Sequence, residues 1–217
     1  MVLALDTSTA VASVALYDGA VSAEMTWRSG RNHSVELMEQ VAALLELRRV
    51  DPSQVAAVAV AIGPGSYTGL RVGLAAGKGL CLALGVPMVG VCTLDILAEA
   101  HVDACLPVRP VLDAGRNRFA TALYVHHDGR LIRAGPIEGK RLKQILEGIT
   151  ERTLLCGDVD EAALARDHGD ARLVRVASPA SSLRRAGFLA EIGWRRLKQG
   201  NVQNAAEVDA LYLGKEE

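Results

Sequence analysis

The chain has 217 residues, of which 50% are hydrophobic and 23% are charged. This composition excludes intrinsically disordered and fibrous proteins, and the length predicts one large globular domain or two small ones. Lys and Arg total 24 against 25 for Asp and Glu, a formal net charge of −1. No strong overall field therefore favours nucleic acid or an anionic membrane as a partner.

A long internal repeat organises the chain. The segment LALDTSTAVASVALYDG predicts a strand that ends at Asp6, a polar turn, a strand over Val11–Tyr17 and an Asp-Gly hairpin turn before a third strand. The pattern returns in PVLDAGRNRFATALYVHHDG, where Asp113 and Tyr124 have the spacing of Asp6 and Tyr17. A repeat of this length indicates a duplicated domain rather than a solenoid.

Helices and buried strands alternate after each meander. In the first half the pattern predicts a helix over 33–49, a strand over 55–62, a helix over 68–84, a strand over 87–91 and a helix over 94–102. In the second half it predicts a helix over 140–147, a strand over 153–156, a helix over 161–167, a strand over 172–176 and a helix over 183–199. The order predicts an α/β fold with two similar halves, residues 1–105 and 106–217.

An aspartate at the first hairpin of each half is typical of the actin-like, ribonuclease H-like fold of the sugar kinases (ASKHA). In that fold two mixed β-sheets are flanked by helices, and the two hairpins hold nucleotide phosphates. Asp6, Thr7 and Ser8 in the first turn and Asp113 in the second are therefore candidates for vestigial phosphate loops. The alternative is that these are turn residues whose side chains bond local backbone groups.

A glycine-rich segment, AIGPGSYTGLRVGLAAGKG, runs from a buried strand into a helix whose N-terminus can bind an anion. Its glycine spacings fit neither the Rossmann fingerprint nor the P-loop. Gly69, Gly73 and Gly77 share one ridge of the helix, where each costs up to about 1 kcal/mol relative to alanine. Two explanations stay open: close packing of this helix on its own sheet, and a helix-to-helix contact with another chain.

The cysteines fit no CxxC or zinc pattern, and we expect free thiols in a reducing compartment. They are Cys81, Cys92, Cys105 and Cys156. The N-terminus lacks the basic region of a secretory signal, and charged and turn-forming residues interrupt the longest apolar stretch. We therefore expect a cytoplasmic protein that does not enter the membrane.

Three segments carry a family resemblance, and they are LALDTSTAVASVALYDG, RNHSVELMEQV and GPGSYTGLRVGLAAGKGLCLALGVPMVGVCTLDILA. Together with the C-terminal half they resemble the bacterial TsaB (YeaZ) family over nearly the whole chain. The resemblance implies the actin-like fold. It also implies a place in the tRNA threonylcarbamoyladenosine synthase system, beside the catalytic paralogue TsaD.

The resemblance further implies that the chain has no catalytic or metal site. Where TsaD-like proteins carry GVNHLEGH, with two metal-binding histidines, this chain reads GVCTLDIL over residues 90–97. Thr93 and Leu97 stand at the histidine positions, and neither side chain can replace an imidazole ligand. We expect a scaffold that supports transfer of threonylcarbamoyl by TsaD to the adenosine 3′ of the anticodon. No cofactor is required of it, and ATP or ADP is expected only at a shared interface.

In this family the partner surface is formed by the first two helices of the N-terminal half. Carried over to this chain, it predicts partner contacts from Leu37, Met38, Val41, Leu45, Gly69, Gly73 and Gly77. The implied partners are TsaD in a heterodimer, TsaE, tRNA through the complex, and a second copy of the chain when TsaD is absent.

Two other functions stay open. A free-standing ATPase or kinase of the same fold would use Asp6 and Asp113, and a glycoprotease-like metallopeptidase would need zinc where Thr93 and Leu97 stand. The basic residues of the last predicted helix either contact RNA phosphates or form a solvated face. These residues are Arg184, Arg185, Arg195, Arg196 and Lys198.

Overall fold

The computed structural model describes residues 1–29, 32–166 and 172–213. Its first sheet has five strands, which are β1 (Val2–Asp6), β2 (Val11–Tyr17), β3 (Val21–Arg28), β4 (Ala57–Gly63) and β5 (Met88–Cys92). Their order is β3-β2-β1-β4-β5, with β1 antiparallel to β2 and parallel to β4. The sheet is therefore mixed, which confirms the prediction for the first half.

Helices cover both faces of this sheet. On one face lie α1 (His33–Arg48) and α2 (Tyr67–Leu84), and on the other lies α6 (Ala186–Lys198), while the short α3 (Thr93–Glu99) follows β5. Strand β1 is apolar at successive positions because its side chains alternate between two cores. Val2 and Ala4 pack with α6, whereas Leu3 and Leu5 pack with α1 and α2.

Both ends of α2 have residues suited to helix ends. Ser66 precedes the helix, and its Oγ accepts a hydrogen bond from the Gly69 amide at 3.3 Å. Gly85 follows the helix with φ 67°, a left-handed conformation that glycine adopts without strain. The Gly85 amide donates to the Cys81 carbonyl, and the chain then turns into β5.

Within the described residues the second sheet has seven strands, which are β6 (Val108–Asp113), β7 (Phe119–Thr121), β8 (Tyr124–His127), β9 (Arg130–Arg133), β10 (Glu138–Lys140), β11 (Thr153–Gly157) and β12 (Val174–Val176). Its main path is β10-β7-β6-β11-β12, and β8 pairs with β6 and β9. Helices α4 (Leu142–Glu147) and α5 (Glu161–Arg166) pack against this sheet. This sheet is mixed as well, because β11 is parallel to β6 and β12 while β7 is antiparallel to β6.

The second strand of the repeated meander is broken in this sheet, which the sequence pattern did not predict. Val111 pairs with Thr121 and Val108 with Tyr124, so the break between β7 and β8 lies opposite Pro110 of β6. Proline has no amide hydrogen and cannot continue the ladder. The Thr121 Oγ1 donates to the Pro110 carbonyl at 2.7 Å instead.

Contacts divide the described residues into two compact units, each built around one sheet. The first comprises Met1–Ile96 and Arg184–Leu211, and the second comprises Leu97–Leu183 with Tyr212 and Leu213. Helix α6 belongs to the first unit although it follows the second sheet in the chain. The boundary between residues 105 and 106 was predicted from the two copies of the sequence repeat. It stays a prediction, because the contacts group the residues by sheet rather than by repeat.

Most predicted helices are present with shifted ends. The helix predicted over 94–102 ends at Glu99, and the one predicted over 183–199 begins at Ala186. The predicted last residue of α5, Asp167, lies outside the described residues. Within the described ranges, no helix combines the length and apolar character that crossing a bilayer requires.

Glu24 of β3 holds the start of α6. Its carboxylate accepts hydrogen bonds from the Arg185 Nη2 at 2.6 Å and from the Gly187 amide at 3.2 Å. The Glu24 side chain is 9% exposed, whereas that of Arg185 is 51% exposed. Since α6 has no side-chain cap at its own N-terminus, a carboxylate at this position satisfies a free amide and interacts favourably with the helix dipole.

We expect Glu24→Gln to lower the free energy of unfolding by about 1–3 kcal/mol, because it removes a charge that two hydrogen-bond donors surround. Urea denaturation measures the change. The control is Glu191→Gln, which breaks the partly exposed pair of Glu191 with Arg195 at 3.2 Å and is expected to cost under about 0.5 kcal/mol. Equal losses in the two variants would contradict this role of Glu24.

Candidate functional site

The first turn of the repeat is buried. Asp6, Thr7 and Ser8 at the end of β1 are 1%, 2% and 0% exposed. The Asp6 Oδ1 accepts hydrogen bonds from the Ser8 amide at 2.8 Å and the Ser8 Oγ at 2.6 Å, while the buried Asp6 Oδ2 has no partner within the described structure. The Thr7 Oγ1 donates to the Gly69 carbonyl at 2.8 Å. These bonds agree with the turn-residue interpretation.

The start of α2 packs directly on this turn. The Ser66 amide donates to the Ser8 carbonyl at 2.7 Å. A Cβ atom added at Gly65 would lie within 3.0 Å of the Ser8 carbonyl oxygen, and one added at Gly69 within 3.0 Å of the Thr7 carbonyl oxygen. Real side chains do not tolerate such distances to backbone atoms, so both positions need glycine.

The glycine ridge of α2 faces the chain's own sheet. A Cβ at Gly73 would lie within 3.0 Å of the Thr7 Oγ1, and one at Gly77 within 3.0 Å of a Val60 methyl group. Gly69, Gly73 and Gly77 are all buried. Packing on the chain's own sheet, one of the two explanations left open, therefore accounts for the three glycines. A contact with another chain would have to use a different face of α2.

The second aspartate turn is exposed and locally bonded. The Asp113 Oδ1 accepts a hydrogen bond from the Gly115 amide at 2.8 Å. The Asp113 amide donates to the Asp158 Oδ2 at 2.9 Å, which ties the ends of β6 and β11 together. Asp113 is thus the exposed member of the four residues predicted for phosphate loops.

The positions that carry histidines in TsaD-like proteins are part of the core. Thr93 and Leu97 at the two ends of the first turn of α3 are both 0% exposed. In the ranges 1–29, 32–166 and 172–213, no group of three or more His, Cys, Asp or Glu side chains could hold a metal ion.

Burial raises the pKa of the Cys156 thiol to about 12 and that of Cys81 to about 11, so these two sulfurs stay protonated near neutral pH.

The predicted partner residues of α1 divide into two groups. Leu37 and Val41 are 1% and 2% exposed and belong to the core between this helix and the sheet. Met38 is 44% exposed, and Leu45 is half-buried. The helix therefore directs part of the predicted set inward, and its outer face presents Met38 and part of Leu45.

Four further exposed side chains on α1 and α2 were missed by the sequence analysis. They are Val35, Leu47, Tyr67 and Leu82, which are 66%, 70%, 54% and 86% exposed. Both helices carry apolar residues on more than one side, so periodicity identified the face that packs on the sheet and left the outer face unassigned. A leucine as exposed as Leu82 is informative only once the buried face is known.

Gly79 differs from the buried glycines of α2. A Cβ at this position would meet no atom of the described residues within 4 Å. Gly79 lies on the exposed side of the helix together with Ala75 and Leu82. No contact within the described chain explains a residue that costs about 1 kcal/mol relative to alanine in a helix interior.

The arginines of the C-terminal segment are engaged within the first unit. Arg184 is 5% exposed and donates to the Thr9 hydroxyl. Arg196 donates to the Gly90 carbonyl at 2.7 Å. Arg196 also pairs with Asp95 at 3.6 Å, Arg185 pairs with Glu24, and Arg195 pairs with Glu191. These contacts hold α6 on its sheet, which reduces the charge left for RNA phosphates.

Solved structures define the class of the fold. YeaZ from Pseudomonas aeruginosa has a TM-score of 0.84 and 26% identity, covering 98% of this chain and 99% of that chain. The ROK hexokinase from Thermus thermophilus, at 12% identity, has a TM-score of 0.50 over 89% of this chain and 99% of that chain, which shows likeness of fold alone. Two mixed sheets flanked by helices, each with an aspartate turn after its first strand, define a protein of the actin-like, ribonuclease H-like class.

Sequence relatives narrow this class to a family. A family model described as TsaD, tRNA N6-adenosine threonylcarbamoyltransferase, matches residues 25–149. The tRNA threonylcarbamoyladenosine biosynthesis protein TsaB of Bacillus subtilis (strain 168) is 35% identical over 154 residues, which span 70% of this chain and 66% of that protein. TsaB of Escherichia coli (strain K12) is 37% identical over 99 residues, which span 45% of this chain and 42% of that protein. The chain belongs to the TsaB (YeaZ) family.

Alanine substitutions distinguish the buried from the exposed glycines of α2. Gly73→Ala places a methyl group against Thr7, and we expect it to lower the free energy of unfolding by about 1–3 kcal/mol. Gly79→Ala meets no atom and favours the helix, so we expect a gain of up to about 1 kcal/mol. Urea unfolding of both variants measures the changes, and a stabilising Gly73→Ala would mean that the helix does not pack on the turn as described.

Proposed function

We propose that this chain is a non-catalytic scaffold subunit of a tRNA threonylcarbamoyladenosine synthase. In this role it binds TsaD and supports transfer of the threonylcarbamoyl group to the adenosine 3′ of the anticodon. Membership in the TsaB family and the apolar outer face of α1 and α2 support the proposal. The chemistry is assigned to TsaD, because Thr93 and Leu97 occupy the positions of its metal-binding histidines.

The location of the exposed apolar surface is the observation that carries the proposal. Among the described residues nine large hydrophobic side chains are exposed, and five of them belong to α1 or α2: Val35, Met38, Leu47, Tyr67 and Leu82. The two helices are neighbours on the same face of the first sheet. Apolar side chains concentrated on adjacent helices are typical of a protein–protein contact, whereas scattered ones need no explanation.

Small residues on the outer side of α2 suit a close contact between helices. Gly79 and Ala75 leave room for a partner backbone, and Leu82 supplies an apolar anchor on the same side of the helix. A few well-packed anchors carry most of the binding energy of an interface. A second copy of the chain presents the same surface, so an isologous homodimer in the absence of TsaD is part of the proposal.

ATP or ADP is proposed at an interface shared with TsaD rather than within this chain alone. Asp6, Thr7 and Ser8 are buried and bonded to the turn and to α2, and Asp113 alone of the predicted phosphate-loop residues is exposed. TsaE is proposed to act on the assembled complex. Contact with tRNA is proposed through the complex, since the arginines at the start of α6 and along it bond to their own unit.

The proposal is tested by reconstitution. Threonylcarbamoyladenosine formation on unmodified tRNA is measured with purified TsaC, TsaD and TsaE, with and without this chain. Product that requires the chain is the expected result. Equal product in both reactions would contradict the proposal and favour the free-standing ATPase, which calorimetric titration of the chain with ATP and Mg²⁺ would then test.

Leu82→Arg tests the surface itself. Because Leu82 is 86% exposed, the substitution is expected to change the free energy of unfolding by no more than about 0.5 kcal/mol. Placing a charge in an apolar contact is expected to weaken TsaD binding at least about tenfold, measured by calorimetry, with a matching loss of product. The matched control is Ile132→Arg on β9, where the side chain is 46% exposed. Unchanged TsaD binding by Leu82→Arg would exclude this surface.

A further inference from the structure

The second unit has a groove beside strand β12, whereas the helices of the surface proposed for TsaD belong to the first unit. The groove has a volume of about 550 Å³, within the roughly 300–1,000 Å³ of small-ligand sites. Its floor is apolar and consists of Leu164 and Ala165 of α5 and of Val174 and Val176 of β12. The three consecutive residues of β12 all line it, so it follows the backbone of the strand rather than one face of the sheet.

Strand β12 lies at the end of the sheet path among the described residues. The Thr153 amide donates to the Leu173 carbonyl, and the Ala177 amide donates to the Leu155 carbonyl, each at 2.8 Å. In a strand the backbone groups of alternate residues point in opposite directions. The amide and carbonyl groups of Val174 and Val176 therefore point away from β11, toward the side on which no described strand pairs with β12.

The rim of the groove carries an excess of positive charge. Arg152 and Arg175 line it together with one acid, Glu161. All three side chains belong to exposed residues, and no ion pair joins them to other residues in the part of the chain that the structure describes. An extended peptide with a carboxylate beside an apolar side chain complements both the rim and the floor.

We propose that this groove binds an extended peptide, which adds to the sheet beside β12. The peptide backbone pairs with the amide and carbonyl groups of Val174 and Val176, which bond to no other residue that the structure describes, as in other cases of strand addition to an open edge. One apolar side chain lies on the floor against Leu164, and a neighbouring Asp or Glu of the peptide meets Arg152 and Arg175. The residues of this site belong to the second unit and those of the surface proposed for TsaD to the first, so neither proposal depends on the other.

Fluorescence anisotropy with the purified chain tests the proposal. The probe is a fluorescein-labelled peptide of alternating valine and aspartate. One control peptide has lysine in place of each aspartate, and a second is N-methylated at alternate amides, which blocks strand pairing and keeps the side chains. We expect saturable binding of the aspartate peptide and no detectable binding of the methylated peptide.

Variants place the binding in the groove. Ala165→Trp fills the groove from an exposed position of α5 and is expected to abolish binding. Arg152→Glu and Arg175→Glu are each expected to weaken it up to about fivefold, the range for a partly exposed charge pair. Arg130→Glu, an exposed arginine of β9 outside the groove, is the matched control and is expected to leave binding unchanged. Circular dichroism checks that each variant is folded.

Three results with these peptides and variants would overturn the proposal. They are the absence of binding by the aspartate peptide, equal binding of the aspartate and lysine peptides, and binding that survives both Ala165→Trp and N-methylation. A labelled single-stranded RNA that binds while the peptide does not would also overturn it, because the two arginines would then serve phosphates.

Discussion

The packing of α2 on the turn between β1 and β2 is the contact on which the first unit depends. The Ser66 amide bonds to the Ser8 carbonyl, and the Thr7 hydroxyl bonds to the Gly69 carbonyl. The helix can approach this closely because Gly65 and Gly69 have no side chain to meet the turn. With its start fixed in this way, the helix continues over β4 with Gly73 and Gly77 on the buried side.

This contact also divides α2 into two faces with different uses. The inner face closes the turn, so that Asp6 and its neighbours are held by the chain itself. The outer face keeps Gly79, Ala75 and Leu82 in solvent, next to the exposed side of α1. The first aspartate turn is buried by the chain's own helix, and the exposed face of that helix is apolar. Both features suit a protein whose role is to bind another chain.

The opposite face of the first sheet is closed by a helix from the end of the chain. Glu24 bonds to the first turn of α6, Arg184 bonds to Thr9, and Arg196 bonds to the Gly90 carbonyl. These polar contacts surround an apolar stripe that packs on β1 and β4. Charged side chains that look like a solvated or RNA-binding face in the sequence therefore serve to fix the position of α6.

Much of the fold could be predicted from the sequence. The repeat around Asp6 and Asp113, the alternation of helices and apolar strands, and the glycine ridge of α2 are local patterns, and local patterns determine element type and buried face. The break opposite Pro110 could not be predicted, because it depends on which residue of a neighbouring strand lacks an amide hydrogen. The return of α6 to the first sheet rests on contacts between residues far apart in the chain.

Local patterns also could not show which of the candidate residues are buried and which are exposed. The sequence by itself determined which positions are glycine or apolar, and so the class and family of the protein. Only the tertiary structure decided that Gly69, Gly73, Gly77, Leu37 and Val41 face the chain's own sheet while Gly79, Met38 and Leu82 face solvent. The physical reason is that periodicity gives the angle between residues on a helix, whereas the side that is buried depends on where the sheet and the β1–β2 turn lie.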